Sequence, residues 1–145
     1  MTDSRVGEET RRRVGKRARG LCEYCRSPRL YSVSPFSVEP IHPQAKGGLS
    51  GLDNLAFACL GCNGHKHTKT EAPDPVTGKS VLLFHPRRQQ WVDHFGWSED
   101  YTLVIGRTPT GRATVDALQL NREEQINLRR LLYAAGAHPP FELRS

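Results

Sequence analysis

The sequence predicts an α+β fold, and three patterns along the chain support that prediction. Two Cys-x-x-Cys pairs occupy residues 22–25 and 59–62, close enough within each pair to act together. Between them, Phe36–Ile41 alternates apolar with polar residues, as a half-buried strand does. After them, residues 113–120 and 121–135 carry apolar side chains at helical spacing. We therefore expect a small core held by its cysteines, followed by a mainly helical extension.

Positive charge is concentrated near the amino terminus. The chain has 145 residues and a formal net charge of +6, from 21 Lys+Arg against 15 Asp+Glu. Clustered guanidinium groups suit a polyphosphate partner, because each neutralised phosphate releases condensed counterions. A solvated helix face explains the same charges equally well. The candidate nucleic-acid-binding residues of this run are Arg11, Arg12, Arg13, Lys16 and Arg17.

Membrane and secretory signals are not found in the sequence. No run of eighteen or more apolar residues is present, so no membrane span is predicted. No charged segment is followed by the apolar stretch of a secretory signal. We therefore expect an intracellular, cytoplasmic protein without a membrane partner.

The four cysteines form the strongest pattern in the sequence. Two residues between cysteines let both sulfur atoms face one point, and two such pairs complete a tetrahedral thiolate shell for Zn²⁺. Two disulfides or unrelated buried thiols are the alternatives, and an intracellular chain favours the metal. Four thiolates leave no open coordination position, so the zinc would be structural. The predicted ligands are Cys22, Cys25, Cys59 and Cys62.

Local patterns predict the other elements and three segments of the chain. These segments are a basic arm at residues 1–20, a core at 21–70 and an α/β extension at 71–145 packed on the core. Residues whose side chains can accept a hydrogen bond from a backbone amide predict where helices begin, and glycine and proline predict where they end. A helix is expected over 10–20, begun by Thr10 and ended by Gly20, and a last helix over 121–135. The last helix should have an Asn121–Glu124 capping box and a buried stripe of Leu128, Leu131 and Leu132. The elements expected between them are a short strand or helical turn over 53–59, a helix over 63–69, a strand over 81–84, a helix over 85–95, a strand over 101–105 and a turn over 108–111.

The segment from Cys22 to about residue 70 resembles the HNH endonucleases of the ββα-metal class, in their zinc-stapled bacterial form. That family shows two Cys-x-x-Cys pairs around a strand with Asp/Glu-His-Ile, a Lys-Gly-Gly loop and Asp-Asn-Leu, with Asn or His after the last cysteine. The corresponding stretches here are Val38-Glu39-Pro40-Ile41-His42-Pro43, Lys46-Gly47-Gly48, Asp53-Asn54-Leu55 and Asn63-Gly64-His65-Lys66. The resemblance implies a ββα-metal HNH-like fold stapled by the four-Cys zinc site.

The resemblance also implies roles for particular residues. Glu39 and Asn63 would bind a catalytic Mg²⁺ or Mn²⁺, and Asn54 would orient the catalytic histidine or its strand. Lys66 would hold a phosphate. The implied activity is metal-dependent hydrolysis of phosphodiester bonds in nucleic acid, with DNA as the expected substrate.

One departure from the family places catalysis in question. The family's general-base histidine directly follows the acidic residue, and here Pro40 stands in its place. Proline has no proton to exchange, so we consider His42, two residues on, as the replacement base. The alternatives are an endonuclease of weakened activity, a silenced module that binds nucleic acid without cleaving it, and a structural zinc protein with a protein partner.

Two further expectations concern residues outside these roles. Glu23, between the first two cysteines, is expected to be exposed. His85 lies beyond the motif and is expected to be a packing or surface residue.

Overall fold

The structure is a computed structural model that describes residues 6–43, 47–48 and 51–140. The chain divides into two compact units: Met1–Thr70 with His85–Gln89, and Glu71–Phe84 with Gln90–Ser145. Lys46 of the predicted Lys-Gly-Gly loop lies outside the described residues. None of the helices in the described part has the length and apolar character needed to cross a bilayer.

Among its described residues, the first unit contains two α-helices and one two-stranded sheet, in the order α1 (Glu8–Arg17), β1 (Ser37–Pro40), β2 (Leu55–Ala58) and α2 (Leu60–Lys66). The strands are antiparallel, with Glu39 opposite Ala56. Helix α2 packs against β1. The predicted α+β class and the order strand, strand, helix are therefore confirmed.

The core of the first unit lies between α1 and the sheet. Val14 from α1, Val38 from β1 and Leu55 from β2 are each at most 1% exposed, and they form one cluster. Gly15 faces the Phe57 ring, and a Cβ at this position would make an ordinary van der Waals contact with it at 3.4 Å. Arg17 fastens the end of the helix by donating to the carbonyl oxygens of Leu52 at 2.9 Å and Leu55 at 2.8 Å.

Helix α1 begins earlier than its sequence predicted. Its N-cap is Gly7 rather than Thr10, and two glutamates occupy its first turn. Carboxylates at that end interact favourably with the helix dipole, which offsets the lack of a side-chain cap. Gly20 does follow the helix, with a φ of 71° that suits glycine.

The second unit has two hairpins and three helices. Strands β3 (Glu71–Pro73) and β4 (Ser80–Leu82) pair antiparallel, as do β5 (Phe95–Trp97) and β6 (Val104–Gly106). Helices α3 (Trp91–His94), α4 (Pro109–Leu118) and α5 (Glu123–Ala134) complete the unit, in agreement with the expected helical extension.

Several expectations for this half were wrong in detail. The helix expected over 85–95 shrinks to the four residues of α3. The turn expected over 108–111 is the start of α4, whose N-cap Thr108 accepts from the Gly111 amide at 3.0 Å. Leu131 is 70% exposed, so only Leu132 of its adjacent pair is buried.

The predicted Asn121 capping box was also wrong. Its side chain accepts from the Val104 amide at 2.8 Å and donates to the Val104 carbonyl at 3.0 Å. Asn121 therefore pairs with strand β6 like a backbone group, and the N-cap of α5 is Arg122.

A buried ion pair organises the second unit. Both oxygens of Asp74 accept from the Arg112 guanidinium, at 2.9 and 2.8 Å, and Oδ1 also accepts from the Val76 amide at 3.0 Å. The Asp74 side chain is fully excluded from solvent. The Arg112 guanidinium holds the pKa of Asp74 well below its usual range.

This pair predicts an acid dependence of stability. Because the pKa of Asp74 is lowered on folding, its contribution is fully present above the ordinary aspartate pKa of about 3.9 and is lost progressively as the pH falls from there through the lowered pKa of the folded state. We expect Asp74→Asn to lower the melting temperature most at pH 6, and by a progressively smaller amount as the pH is lowered below about 4. Asp116→Asn, at an exposed site on α4, is the control. An equal loss at both pH values would contradict the role of the ionised carboxylate.

Candidate functional site

The four cysteine side chains converge at one buried point in the first unit. Their sulfur atoms all lie within 4.8 Å of one another, and the Cys25 and Cys59 sulfurs are 3.7 Å apart. In each pair the first sulfur accepts from the backbone amide of the second cysteine at 3.5 Å. All four thiols are free of disulfides. The disulfide alternative is therefore excluded.

The spacing and electrostatics of these sulfurs fit a tetrahedral metal site. A Zn–S bond of 2.3 Å places ligand sulfurs about 3.8 Å apart, close to the distance between Cys25 and Cys59. Burial raises the pKa of Cys22, whereas hydrogen bonds from the neighbouring thiols lower the pKa of Cys59. Four thiolates cannot share so small a volume without a cation. The cluster can therefore hold a metal such as zinc, in agreement with the predicted ligands.

Glu39 and Pro40 are the last two residues of strand β1. Both are half-buried, and one carboxylate oxygen of Glu39, Oε2, is shielded from solvent. Pro40 lies opposite Leu55 in the sheet. Of these two residues, only Glu39 has a side chain that can bind a cation or a proton.

The side chain of Asn54 forms two hydrogen bonds with the backbone of His42, just beyond β1. Its side-chain oxygen accepts from the His42 amide at 2.9 Å, and its side-chain nitrogen donates to the His42 carbonyl at 3.0 Å. Its own carbonyl accepts from the Ile41 amide at 2.7 Å. Ile41 is buried and His42 is exposed. Asn54 therefore fixes the position from which the His42 ring projects.

Helix α2 brings Asn63 and Lys66 to the same region as β1. Asn63 is half-buried on the helix that follows the last cysteine pair. Lys66 is only 5% exposed, and its ammonium group donates to the Ile41 carbonyl at 2.8 Å. This burial argues against the phosphate contact predicted for Lys66, because the ammonium group already binds a backbone carbonyl. The lysine instead ties α2 to the end of β1.

The basic residues of α1 differ in their surroundings. Arg12, Arg13 and Lys16 are exposed, while Arg11 is half-buried. Arg12 forms an ion pair with Glu9 within the helix. Arg17 has both terminal nitrogens directed to backbone carbonyls, as described above. The freely presented charge therefore centres on Arg13 and Lys16, with Arg12 beside them.

Glu23 was expected to be exposed, and this was wrong. It is 5% exposed, and its Oε1 accepts from the Phe57 amide at 2.9 Å. Its other oxygen pairs with the Arg87 guanidinium. Burial lowers the pKa of Arg87 to about 10, which leaves the group charged at neutral pH. No pattern near Glu23 signals a partner 64 positions away, so sequence reasoning missed the pair.

The surroundings of His85 agree with the packing or surface role expected for it. It belongs to the first unit and is half-buried. Its Nδ1 accepts from the Arg87 amide at 3.2 Å. Burial lowers the pKa of His85, with smaller contributions from Arg88, Lys66 and His42.

The cysteine cluster predicts that one metal ion supports the first unit. We expect purified protein to carry about one zinc per chain, and Cys62→Ser to lose both the metal and most of the unit's stability. Elemental analysis and thermal melting measure the two effects. Val38→Ala, a core variant without a metal ligand, should melt earlier yet keep its zinc. Four thiols that react freely with a thiol reagent in untreated protein would contradict the metal site.

The Asn54 contacts predict a local effect on one backbone amide. Asn54→Ala removes the acceptor of the His42 amide, so hydrogen exchange there should accelerate about tenfold, the equivalent of one net hydrogen bond. Asn54→Asp keeps an acceptor oxygen and should preserve that protection, while losing the donor to the His42 carbonyl. Exchange measured by NMR tests both variants. Unchanged exchange at His42 in Asn54→Ala would rule out the clamp.

Comparison with known proteins agrees with this geometry. The model of the HNH endonuclease family matches residues 22–69, from the first cysteine to just beyond α2. No curated protein and no solved structure gives a significant match. The matched range contains all four clustered cysteines, the β1–β2 sheet and α2. Residues 22–69 therefore match the HNH endonuclease family, and their four cysteines meet at one buried, metal-competent point.

Proposed function

We propose that this protein is an HNH-type endonuclease that hydrolyses phosphodiester bonds of DNA with a divalent metal ion, at a rate reduced by Pro40. The observation that carries the proposal is the β1–β2–α2 arrangement within the family match. It brings a carboxylate, Glu39, and an amide, Asn63, onto two elements that pack together. The four-cysteine cluster at the ends of this segment supports a zinc-stapled scaffold.

The donor set fits a hard cation. Glu39 offers carboxylate oxygens and Asn63 an amide oxygen, the ligand types that Mg²⁺ and Mn²⁺ take in proteins. When bound, such an ion stabilises the charge that develops on the phosphate and the leaving oxygen. The partial burial of Glu39 limits competition from water for its carboxylate.

His42 is the proposed general base. It takes a proton from the attacking water, whose oxygen bonds to phosphorus while the bond to the 3′ oxygen breaks. Asn54 supports this role by holding the His42 backbone on both its amide and its carbonyl. Pro40 cannot supply a base, so the proton must be accepted from a position two residues further along than in the family pattern.

The exposed basic residues of α1 are the proposed contacts to the phosphate backbone. Arg12, Arg13 and Lys16 are on the surface of the same unit as Glu39. Each phosphate contact adds about one unit to the slope of log affinity against log salt. Arg11 is half-buried and Arg17 is engaged with carbonyls, so both are expected to contribute less.

A second candidate is a silenced module that binds DNA without cutting it. Pro40 favours it, because removal of a general base typically lowers the rate by about 10² to 10⁴. In that case Glu39 and Asn63 would remain as a metal site without turnover.

Plasmid nicking with Mg²⁺ or Mn²⁺ distinguishes the two candidates. We expect slow, metal-dependent nicking by the wild-type protein, lost on Glu39→Ala and Asn63→Ala and lowered about 10² or more by His42→Ala. Pro40→His restores the family pattern and should raise the rate. His85→Ala tests the alternative base, a second imidazole of the same unit outside the motif.

The outcomes separate three explanations. If wild-type protein is inactive and Pro40→His nicks, the protein is the silenced binder. If His85→Ala abolishes nicking and His42→Ala does not, the base assignment to His42 is wrong. No nicking by any variant, with zinc bound and DNA binding absent, would remove the endonuclease proposal altogether.

A further inference from the structure

The loop between the first cysteine pair and β1 presents apolar side chains to solvent. Leu30 is 80% exposed, Tyr31 52% and Val33 104%. Three large apolar residues within four positions therefore present their side chains to water, which is an unfavourable arrangement unless a partner covers them. We call residues 27–35 the apolar loop.

The apolar loop is held in shape by backbone contacts. At its base, the Arg29 amide donates to the Gly20 carbonyl at 2.7 Å, and Leu21 bridges to Pro28. Residues Arg29–Tyr31 form a 3₁₀ turn. The Ser32 hydroxyl donates to the Ser34 carbonyl at 2.8 Å. The apolar tips are therefore exposed by an ordered backbone, and an ordered loop loses little entropy on binding.

The stretch of sequence that carries the apolar loop is strongly basic. Between residues 10 and 38 the only acidic residue is Glu23, which is buried and paired with Arg87. The basic residues of the same stretch are Arg11, Arg12, Arg13, Lys16, Arg17, Arg19, Arg26 and Arg29. An apolar tip within a cationic segment matches a partner that is anionic outside and apolar inside, which describes stacked bases between phosphates.

We propose that the apolar loop is a wedge that inserts Leu30, Tyr31 and Val33 against the bases of the DNA duplex and unstacks a step close to the cleaved phosphate. The inference rests on the proposed function and adds the means by which the DNA is deformed. Leu and Val are of the class of side chains that wedge between base pairs, and a tyrosine ring can stack on an opened base.

The length of chain between the wedge and the candidate site limits where the distortion lies. Val33 is six residues from Glu39, a separation of at most about 20 Å in extended chain. At about 3.4 Å per nucleotide along one strand, this corresponds to six nucleotides or fewer. The unstacked step should therefore lie within about six nucleotides of the scissile phosphate.

Fluorescence of 2-aminopurine, which rises when the base is unstacked, tests the proposal on short duplexes labelled at successive positions. The full-length, zinc-loaded protein is used without a catalytic divalent ion, so that DNA stays intact. We expect a several-fold rise with wild-type protein, absent in Leu30→Ser/Val33→Ser. That variant should bind about tenfold more weakly, equivalent to about 1.4 kcal/mol, with an unchanged salt slope.

The control is Val76→Ser/Leu131→Ser, which removes two side chains that are 72% and 70% exposed in the second unit. It should keep both the fluorescence rise and the affinity. Zinc content and circular dichroism confirm that each variant is folded.

The other outcomes overturn the inference in distinguishable ways. Salt-dependent binding by wild-type protein without any fluorescence rise would contradict the wedge and would be compatible with the proposed function. No binding by wild-type protein sinks both. A wild-type dimer that the loop variant converts to monomer, seen by sedimentation, assigns the patch to self-association. Loop-dependent binding to anionic vesicles but not to duplexes assigns it to a membrane surface.

Discussion

Four sulfur atoms within 4.8 Å of one another impose the main constraint on the first unit. Thiolates repel at that distance unless a cation lies between them, and neutral thiols pack there without strong attraction. A bound metal converts the repulsion into four strong bonds and fixes two points of the chain, one before β1 and one after β2. The strands between those points can then be short, because the metal closes the loop that contains them.

Two cationic side chains stabilise this small unit by binding backbone carbonyls that lie far from them in the sequence. Arg17 binds the carbonyls of Leu52 and Leu55, and Lys66 binds the carbonyl of Ile41. These carbonyls lie at or beyond the ends of a sheet of two four-residue strands, and Pro40, which is opposite Leu55, has no amide hydrogen to donate. Charged donors satisfy such acceptors more strongly than neutral ones. Part of the positive charge that suggests phosphate binding is thus used to complete the fold.

Much of the first unit could be predicted because its signals are local. Cysteine spacing, the alternation of β1 and the residues after Cys62 each depend on a few adjacent positions. The metal-competent cluster and the strand, strand, helix order followed from them. The pairing of Glu23 with Arg87 and the capture of Lys66 by Ile41 could not be predicted, since both join elements far apart in sequence. The Asn121 capping box was wrong for the same reason, because the side chain of Asn121 binds the backbone of strand β6 instead of capping its own helix.

The path of the chain around Arg87 has a consequence for how the protein can be divided. The family match ends at residue 69, yet the first compact unit also includes His85–Gln89. The chain therefore leaves this unit, builds the β3–β4 hairpin and returns before the unit is complete. A fragment cut at the family boundary would keep every cysteine and lose Arg87, the cation that pairs with the Glu23 carboxylate. The smallest fragment that preserves this ion pair is thus defined by charge compensation, and it extends beyond the boundary that the motif marks.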